Sequence, residues 1–252
     1  MSSLERHPVA LSLGVVVVIA GIGVVLHLAF AGLASVPLRL AISAAVMLGS
    51  LALGLFVASR LGWRRAGFRR DLDPRGRQSL WLLALPFLSA ALVFGFRTAG
   101  VPAVTFLLLG GLATLVALHE ETWFRGVILA VLAGRGPLPA VVASAALFGI
   151  GHSLNVLTTP ASPLAVVYQV ISATLVGILF GTVRIRTGMI WPSVIVHALV
   201  DWASFAALYP QISPREPKPA LAIAGLAVYG LLAAVALWSL RRGEVRVQPS
   251  AG

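Results

Sequence analysis

Long apolar runs separated by short polar stretches organise the chain. Eight runs lie near 8–31, 38–59, 79–96, 102–133, 138–157, 163–185, 190–209 and 219–240. Each is close to or above the roughly 20 residues that a helix needs to cross a hydrocarbon core about 30 Å thick. The runs are continuous and lack the two-residue alternation of a membrane barrel, so they predict helices. The expected fold class is an all-α polytopic membrane protein, a bundle of about eight transmembrane helices. Ala29-Phe30-Ala31 has the form of a signal cleavage site. The apolar stretch before it exceeds the roughly 7–15 residues of a signal core, so the first run is read as a retained span.

Local signals add detail. Pro86 predicts a kink in the third span. Gly177 and Gly181 in the sixth are spaced to admit a neighbouring helix closely. Thr187-Gly188 predicts a turn, and Trp191-Pro192 opens the seventh span, with Pro in the first helical turn and Trp at the membrane interface. The long basic loop over 60–78 interleaves Trp63 and Phe68 with arginines. It is either an amphipathic element lying on anionic headgroups or a solvated loop that sets topology. The expected organisation is an N-terminal two-helix region with this loop over 1–78, a core over 79–210, and a last helix and tail over 211–252. The tail from 243 onward is expected to be disordered, and no internal repeat is visible.

Composition agrees with the pattern. The chain is 59% hydrophobic and 11% charged, with a mean hydropathy of +0.97. Cysteine is absent, which excludes disulfides, thiolate metal ligands and a thiol nucleophile. The net charge of +11 does not point to nucleic acid, because the basic residues stand between apolar runs. Arg6, Arg60, Arg64, Arg65, Arg69, Arg70, Arg75, Arg77, Arg135, Arg184, Arg186, Arg241, Arg242 and Arg246 fall in one alternating set of loops and ends. Arg39, Arg97, Arg215 and Lys218 fall in the other. This bias predicts both termini in the cytoplasm. The arginine- and alanine-rich composition suggests a bacterial plasma membrane.

Charge becomes informative where it interrupts a span. Glu120, Glu121 and Arg125 stand inside the fourth run, at an insertion cost of roughly 2.5–3.5 kcal/mol each. His152 lies in the fifth, and His197 and Asp201 in the seventh. Intramembrane ionisable groups gathered in this way mark function. Glu121 and Arg125 are four apart, share a helix face and can pair. Glu120 is turned about 100° from Glu121 and faces something else. His197 and Asp201 share the four-residue spacing, as do Phe148 and His152, with Phe148 an apolar wall beside the histidine. Two histidines with carboxylates in a dry bundle can hold zinc or position a water, and Glu120 can take that water's proton as general base. His119 is expected to be non-catalytic, His27 to serve packing, and Trp123 and Phe124 to be bundle or lipid contacts. Counted along the helices, His197 lies about 10 Å inside the seventh span. A shared site then requires spans four and five to project into the cytosol, with a cavity open to water on that side.

Glu-Glu-x-x-x-Arg at 120–125, Phe-x-x-x-His at 148–152 and His-x-x-x-Asp at 197–201 resemble, in order and spacing, the motifs of the CPBP family. These are the CAAX prenyl protease type II and bacteriocin-processing (Abi) intramembrane proteases. The Thr-Gly-x-Ile-Trp-Pro lead-in before His197 is also similar, and the resemblance covers roughly residues 80–210. It implies that Glu120 activates water. It implies that His152 and His197 act as metal ligands or as positioners of water and oxyanion, and that Glu121 and Arg125 support Glu120. The last position of the third motif is often Asn in CAAX proteases; Asp201 adds a negative charge that would favour a divalent cation or raise a carboxylate pKa. The family is described both as metallo- and as glutamate-dependent. The metal set implied is His152, His197, Asp201 and Glu120 around one divalent ion, zinc first among the candidates, or no metal at all.

The expected activity is that of an intramembrane endopeptidase cutting near the cytoplasmic face, a hydrolase whose partners are a peptide or membrane-protein substrate and the lipid bilayer, with no nucleic acid. A prenylated substrate is not assumed. Two other classes fit some of the residues. One is a non-catalytic immunity or regulatory protein on the same scaffold. The other is a proton-coupled transporter, for which inverted repeats and broken helices would be expected.

Overall fold

In the computed structural model, the described residues are 10, 12–14, 17, 21, 36–72, 74, 76–97, 100–210, 216 and 218–242. Most of the first predicted span, His27 and the tail from 243 lie outside them. Helix α1 is Val36–Leu61. A 3₁₀ segment Arg77–Leu83 runs into α2, Ala84–Arg97. Helix α3, Ala103–Glu121, passes into a π-helical turn Thr122–Ile128 and then into α4, Leu129–Leu132. Helix α5 is Pro137–Gly151, followed by a 3₁₀ turn His152–Leu154 and the short α6, Asn155–Thr158. Helices α7, Pro163–Thr187, α8, Trp191–Leu208, and α9, Pro219–Arg242, complete the order.

Among the described residues, seven helical stretches are long and apolar enough to cross a membrane. They coincide with the second to eighth predicted spans, and the protein is an integral membrane helical bundle. The stretch Ala103–Arg135 is 33 residues long. At 1.5 Å per residue that is about 50 Å, well beyond a hydrocarbon core of about 30 Å. Even at a tilt of about 40° a helix of that length exceeds the slab.

Helix α5 packs on α7, α8 on α3 and α2, α9 on α7, and α1 on α3 and the π turn. Large side chains such as Phe96, Leu107, Leu108 and Ile223 face outward, where lipid replaces water as their solvent. Without a hydrophobic drive between helices in lipid, close backbone approach holds such a bundle. The α5–α7 seam shows it. A Cβ on Gly177 would meet Ala145 at 3.1 Å, and one on Gly181 would meet Val141 at 3.1 Å. At Gly149 a Cβ would collide with Thr174 Oγ1 and lie 2.7 Å from the Val170 carbonyl oxygen. Because one obstacle is backbone, Gly149→Ala should force the helices apart and destabilise the protein by about 1–3 kcal/mol, while Gly111→Ala, with open space around it, should not. Thermal unfolding of the two variants in detergent checks this.

Three local expectations change form. Pro86 falls in the first turn of α2, where 3₁₀ geometry passes into α; a missing N–H is harmless there, so it sits at a junction and not in mid-span. The basic loop lies neither flat nor free. Ala66 is fully buried, Ile190 N–H donates to the Gly67 carbonyl at 3.0 Å, and Phe68 stacks edge-on between Trp63 and Trp191. Span five ends its α-helix at Gly151, so His152 occupies a 3₁₀ turn. Gly188 closes α7 in the left-handed conformation, φ 74°, its N–H bonded to the Arg184 carbonyl, and α8 opens at Trp191 with Pro192 in its first turn.

Candidate active site

The Glu-Glu-x-x-x-Arg sequence straddles the point where α3 becomes a π turn. Leu129 N–H reaches back five residues to the Phe124 carbonyl, so the helix widens by one residue here. Such wide turns recur at functional sites. Nearly all of the turn is sealed: Thr122, Trp123, Arg125, Gly126, Val127 and Ile128 are buried. Glu121 and Arg125 are both fully buried and pair at 2.8 Å, Arg125 Nη1 to Glu121 Oε1. The guanidinium is also sandwiched between rings, its Cζ 4.3 Å from the Phe148 centroid and 5.5 Å from that of Phe180, a contact that partly replaces lost hydration.

Helix α8 brings His197 to this pair. His197 Nδ1 lies 3.0 Å from Glu121 Oε1. A carboxylate already accepting from Arg125 is an acceptor only, so Nδ1 carries the proton and donates. The other ring nitrogen is thereby directed at two more carboxylates. His197 Nε2 is 3.5 Å from Glu120 Oε2 and 3.5 Å from Asp201 Oδ2. Glu120 and Asp201 keep side-chain exposures of 23% and 22%, against none for Glu121. The two glutamates therefore divide the work: one is sealed and orients the imidazole, the other faces open space. That space is a cavity of about 350 Å³ whose wall includes Glu120, His152, His197 and Asp201 together with Phe124, Phe148 and Phe205.

His152 enters differently. Its Nδ1 donates to the Phe148 carbonyl at 2.9 Å, and its ring packs edge-on against Phe148, centroids 4.8 Å apart. Phe148 in turn packs against His197 at 5.9 Å. His152 shares the cavity but makes no hydrogen bond to Glu120 or Asp201 among the described residues. With Nδ1 occupied, Nε2 is the nitrogen it can turn to a substrate.

The structure thus gathers Glu120, His197, Asp201, Glu121 and Arg125 by direct contact, and His152 by way of Phe148. Sequence reasoning did not assign Glu121 to His197, a contact across 76 positions with no short-range signal. It also did not find Asn155 and Gln169, which line the cavity and join through Asn155 Nδ2 to Gln169 Oε1 at 2.7 Å. Phe124, expected as a bundle or lipid contact, is a cavity wall. Trp123 is a bundle contact, donating to Ser50 on α1. His119 also bonds Ser50, Nε2 to Oγ at 2.9 Å, and reaches the cavity edge.

The donor types suit a divalent ion. Among the described residues no group of three or more His, Asp or Glu side chains is placed to hold one.

The fold and this histidine, held among three acidic side chains, define a polytopic membrane protein with a cluster of titratable groups inside the bundle. Residues 101–203 match the family model described as Type II CAAX prenyl endopeptidase Rce1-like. That stretch holds all three motifs, in agreement with the CPBP resemblance. The match makes this stretch similar to CAAX-type membrane endopeptidases. The comparisons with curated proteins and with solved structures give no match.

Proposed function

We propose that this protein is an intramembrane endopeptidase that hydrolyses a peptide bond by water activated at Glu120. One observation carries the reading: Glu120 and Asp201 both lie 3.5 Å from His197 Nε2 on a cavity wall, while Glu121 fixes Nδ1 from behind. Glu120 accepts a hydrogen bond from water. As the water oxygen bonds to the carbonyl carbon, Glu120 takes one of its protons. The carbonyl oxygen becomes an oxyanion, which accepts a hydrogen bond from Nε2–H of His152 or His197 in its doubly protonated, imidazolium form. Collapse of the tetrahedral intermediate breaks the C–N bond, and Glu120 returns its proton to the departing nitrogen. The products are a carboxylate and an amine, with no co-reactant beyond water.

Asp201 and Glu121 act through His197. Glu121 holds the tautomer, and Asp201 limits where Nε2 can turn. The walls contributed by Phe124, Phe148 and Phe205 suit an apolar peptide segment, so the substrate proposed is a peptide precursor or a stretch of another membrane protein. The arginine bias of the loops supports a cut near the cytoplasmic face with both termini on that side.

Quantitative proteomics of membrane peptides from cells carrying the wild type or Glu120→Ala tests the reading. Peptides with a new terminus should be present in the first and absent in the second. Identical peptide sets, with both proteins at equal abundance, would overturn it. Metal analysis of the purified wild type and of His197→Ala decides separately whether a divalent ion joins the site.

A further inference from the structure

The last turns of α7 carry Arg184 and Arg186 to one end of the bundle. Arg184 is only 7% exposed. Its Nη2 donates to the Arg65 carbonyl at 2.6 Å, and its guanidinium lies so close to Gly67 that any Cβ there would collide with Nε. From the other side of the same junction Arg69 reaches Gly188, where a Cβ would lie 2.9 Å from its Nη1. The Ile190–Gly67 hydrogen bond ties these two backbones together. Two glycines thus make room for two guanidiniums, and Arg184 feels the like charge of Arg69.

Counter-charge is scarce there. Asp71 is shared by Arg69 and Arg64. The hydrogen bond from Arg69, with Arg64 near, holds its carboxyl below the usual carboxylate range, so it is ionised but already divided between two cations. Among the described residues no carboxylate pairs with Arg184 or Arg186. The Nε groups of Arg69, Arg184 and Arg186 are buried without a hydrogen-bond acceptor among the described residues. Donors left this way are costly, and a guanidinium's fork of N–H groups matches phosphate oxygens.

The depth of the pair says what would bring the phosphate. Trp63, 46% exposed, stacks through Phe68 on Trp191 beside Gly67. Arg186 donates to the Ser239 carbonyl in the last turns of α9, next to Trp238, which is 52% exposed and covered by Arg242 at 4.1 Å. Exposed tryptophans ring membrane proteins at headgroup level. We propose that Arg69 and Arg184 form a binding site for a phosphate-bearing anion, supplied by the headgroup of an anionic phospholipid. The site stands apart from the hydrolytic cavity and does not depend on the peptidase reading.

The test compares thermal unfolding of the full chain in phosphatidylcholine nanodiscs, in the same nanodiscs containing phosphatidylglycerol, and in phosphatidylcholine nanodiscs with inorganic phosphate at matched ionic strength. Phosphatidylglycerol should raise Tm by roughly 4–8 °C. Arg184→Gln and Arg69→Gln should each lose most of that rise, and Arg64→Gln, whose side chain is 76% exposed, should keep it. If Arg184→Gln fails to fold, Arg69→Gln decides alone. Inorganic phosphate reproducing the whole rise would overturn the lipid source. A rise that survives in Arg69→Gln, or that is lost equally in Arg64→Gln, would show diffuse attraction and overturn the site.

Discussion

Glu120→Gln lowers the rate of peptide hydrolysis by about 10²–10⁴-fold, the usual contribution of a positioned general base, and leaves Tm close to that of the wild type. The amide keeps the volume and polarity of the side chain but cannot take a proton from water. It leaves no buried charge stranded, because Glu120 faces the cavity and the histidine it meets, His197 at 3.5 Å, keeps its contacts to Glu121 and Asp201. The loss should fall on kcat, with KM little changed, since the carboxylate acts only as the water's proton begins to move. Asp201→Asn is the informative contrast. The shorter amide would still reach His197 Nε2 from one turn along α8, and the substitution removes one of two negative charges facing that nitrogen. Activity should therefore stay within about tenfold of wild type, on the scale of a single lost surface-like interaction. Single-turnover measurements on a cleavage site found by proteomics would check both. A Glu120→Gln protein retaining about a tenth of wild-type kcat or more would remove Glu120 from the base role.

Those two residues also show what can be read from a sequence of this kind. Seven spans were legible because a membrane helix is specified by length and apolarity, which are local properties. His197 and Asp201, and Glu121 and Arg125, were legible as pairs because four residues make about one helical turn. Which pair meets which was not legible. Helix rotation and tilt decide it, and these rest on contacts such as Gly177 against Ala145 that involve residues common throughout the chain. The π turn over Thr122–Ile128 contains Gly126 but no proline, and a lone glycine in an apolar run still reads as ordinary helix. The packed loop at Ala66–Phe68 reads as a basic surface stretch because its burial depends on Gly67 and on Trp191, far along the chain. The resemblance supplied the grouping of the three motifs; the structure adds the order within the group, with Glu121 behind the imidazole and Glu120 in front.

Arg125→Met should leave little folded protein. The substitution keeps length and apolar bulk, yet it strands the Glu121 carboxylate at full burial, and breaking such a pair costs about 3–5 kcal/mol, much of a domain's stability. Glu121→Leu should fail in the same way by stranding the guanidinium between Phe148 and Phe180. The double variant Glu121→Leu/Arg125→Met is expected to recover most of the lost stability, because an apolar pair of similar volume often replaces a buried ion pair at no net cost. The pair is not fully satisfied in any case: Glu121 Oε2, Arg125 Nε and Arg125 Nη2 are buried without hydrogen-bond partners among the described residues. A pair that an apolar pair could replace at no net cost owes its place to what it holds, and what it holds is His197 Nδ1 at 3.0 Å. The double variant should then be stable but inactive, its imidazole free to rotate or change tautomer. Recovery of Tm without recovery of hydrolysis would separate the two roles; recovery of both would show that His197 needs no orienting carboxylate, and loss of both would show that the ion pair is structural after all.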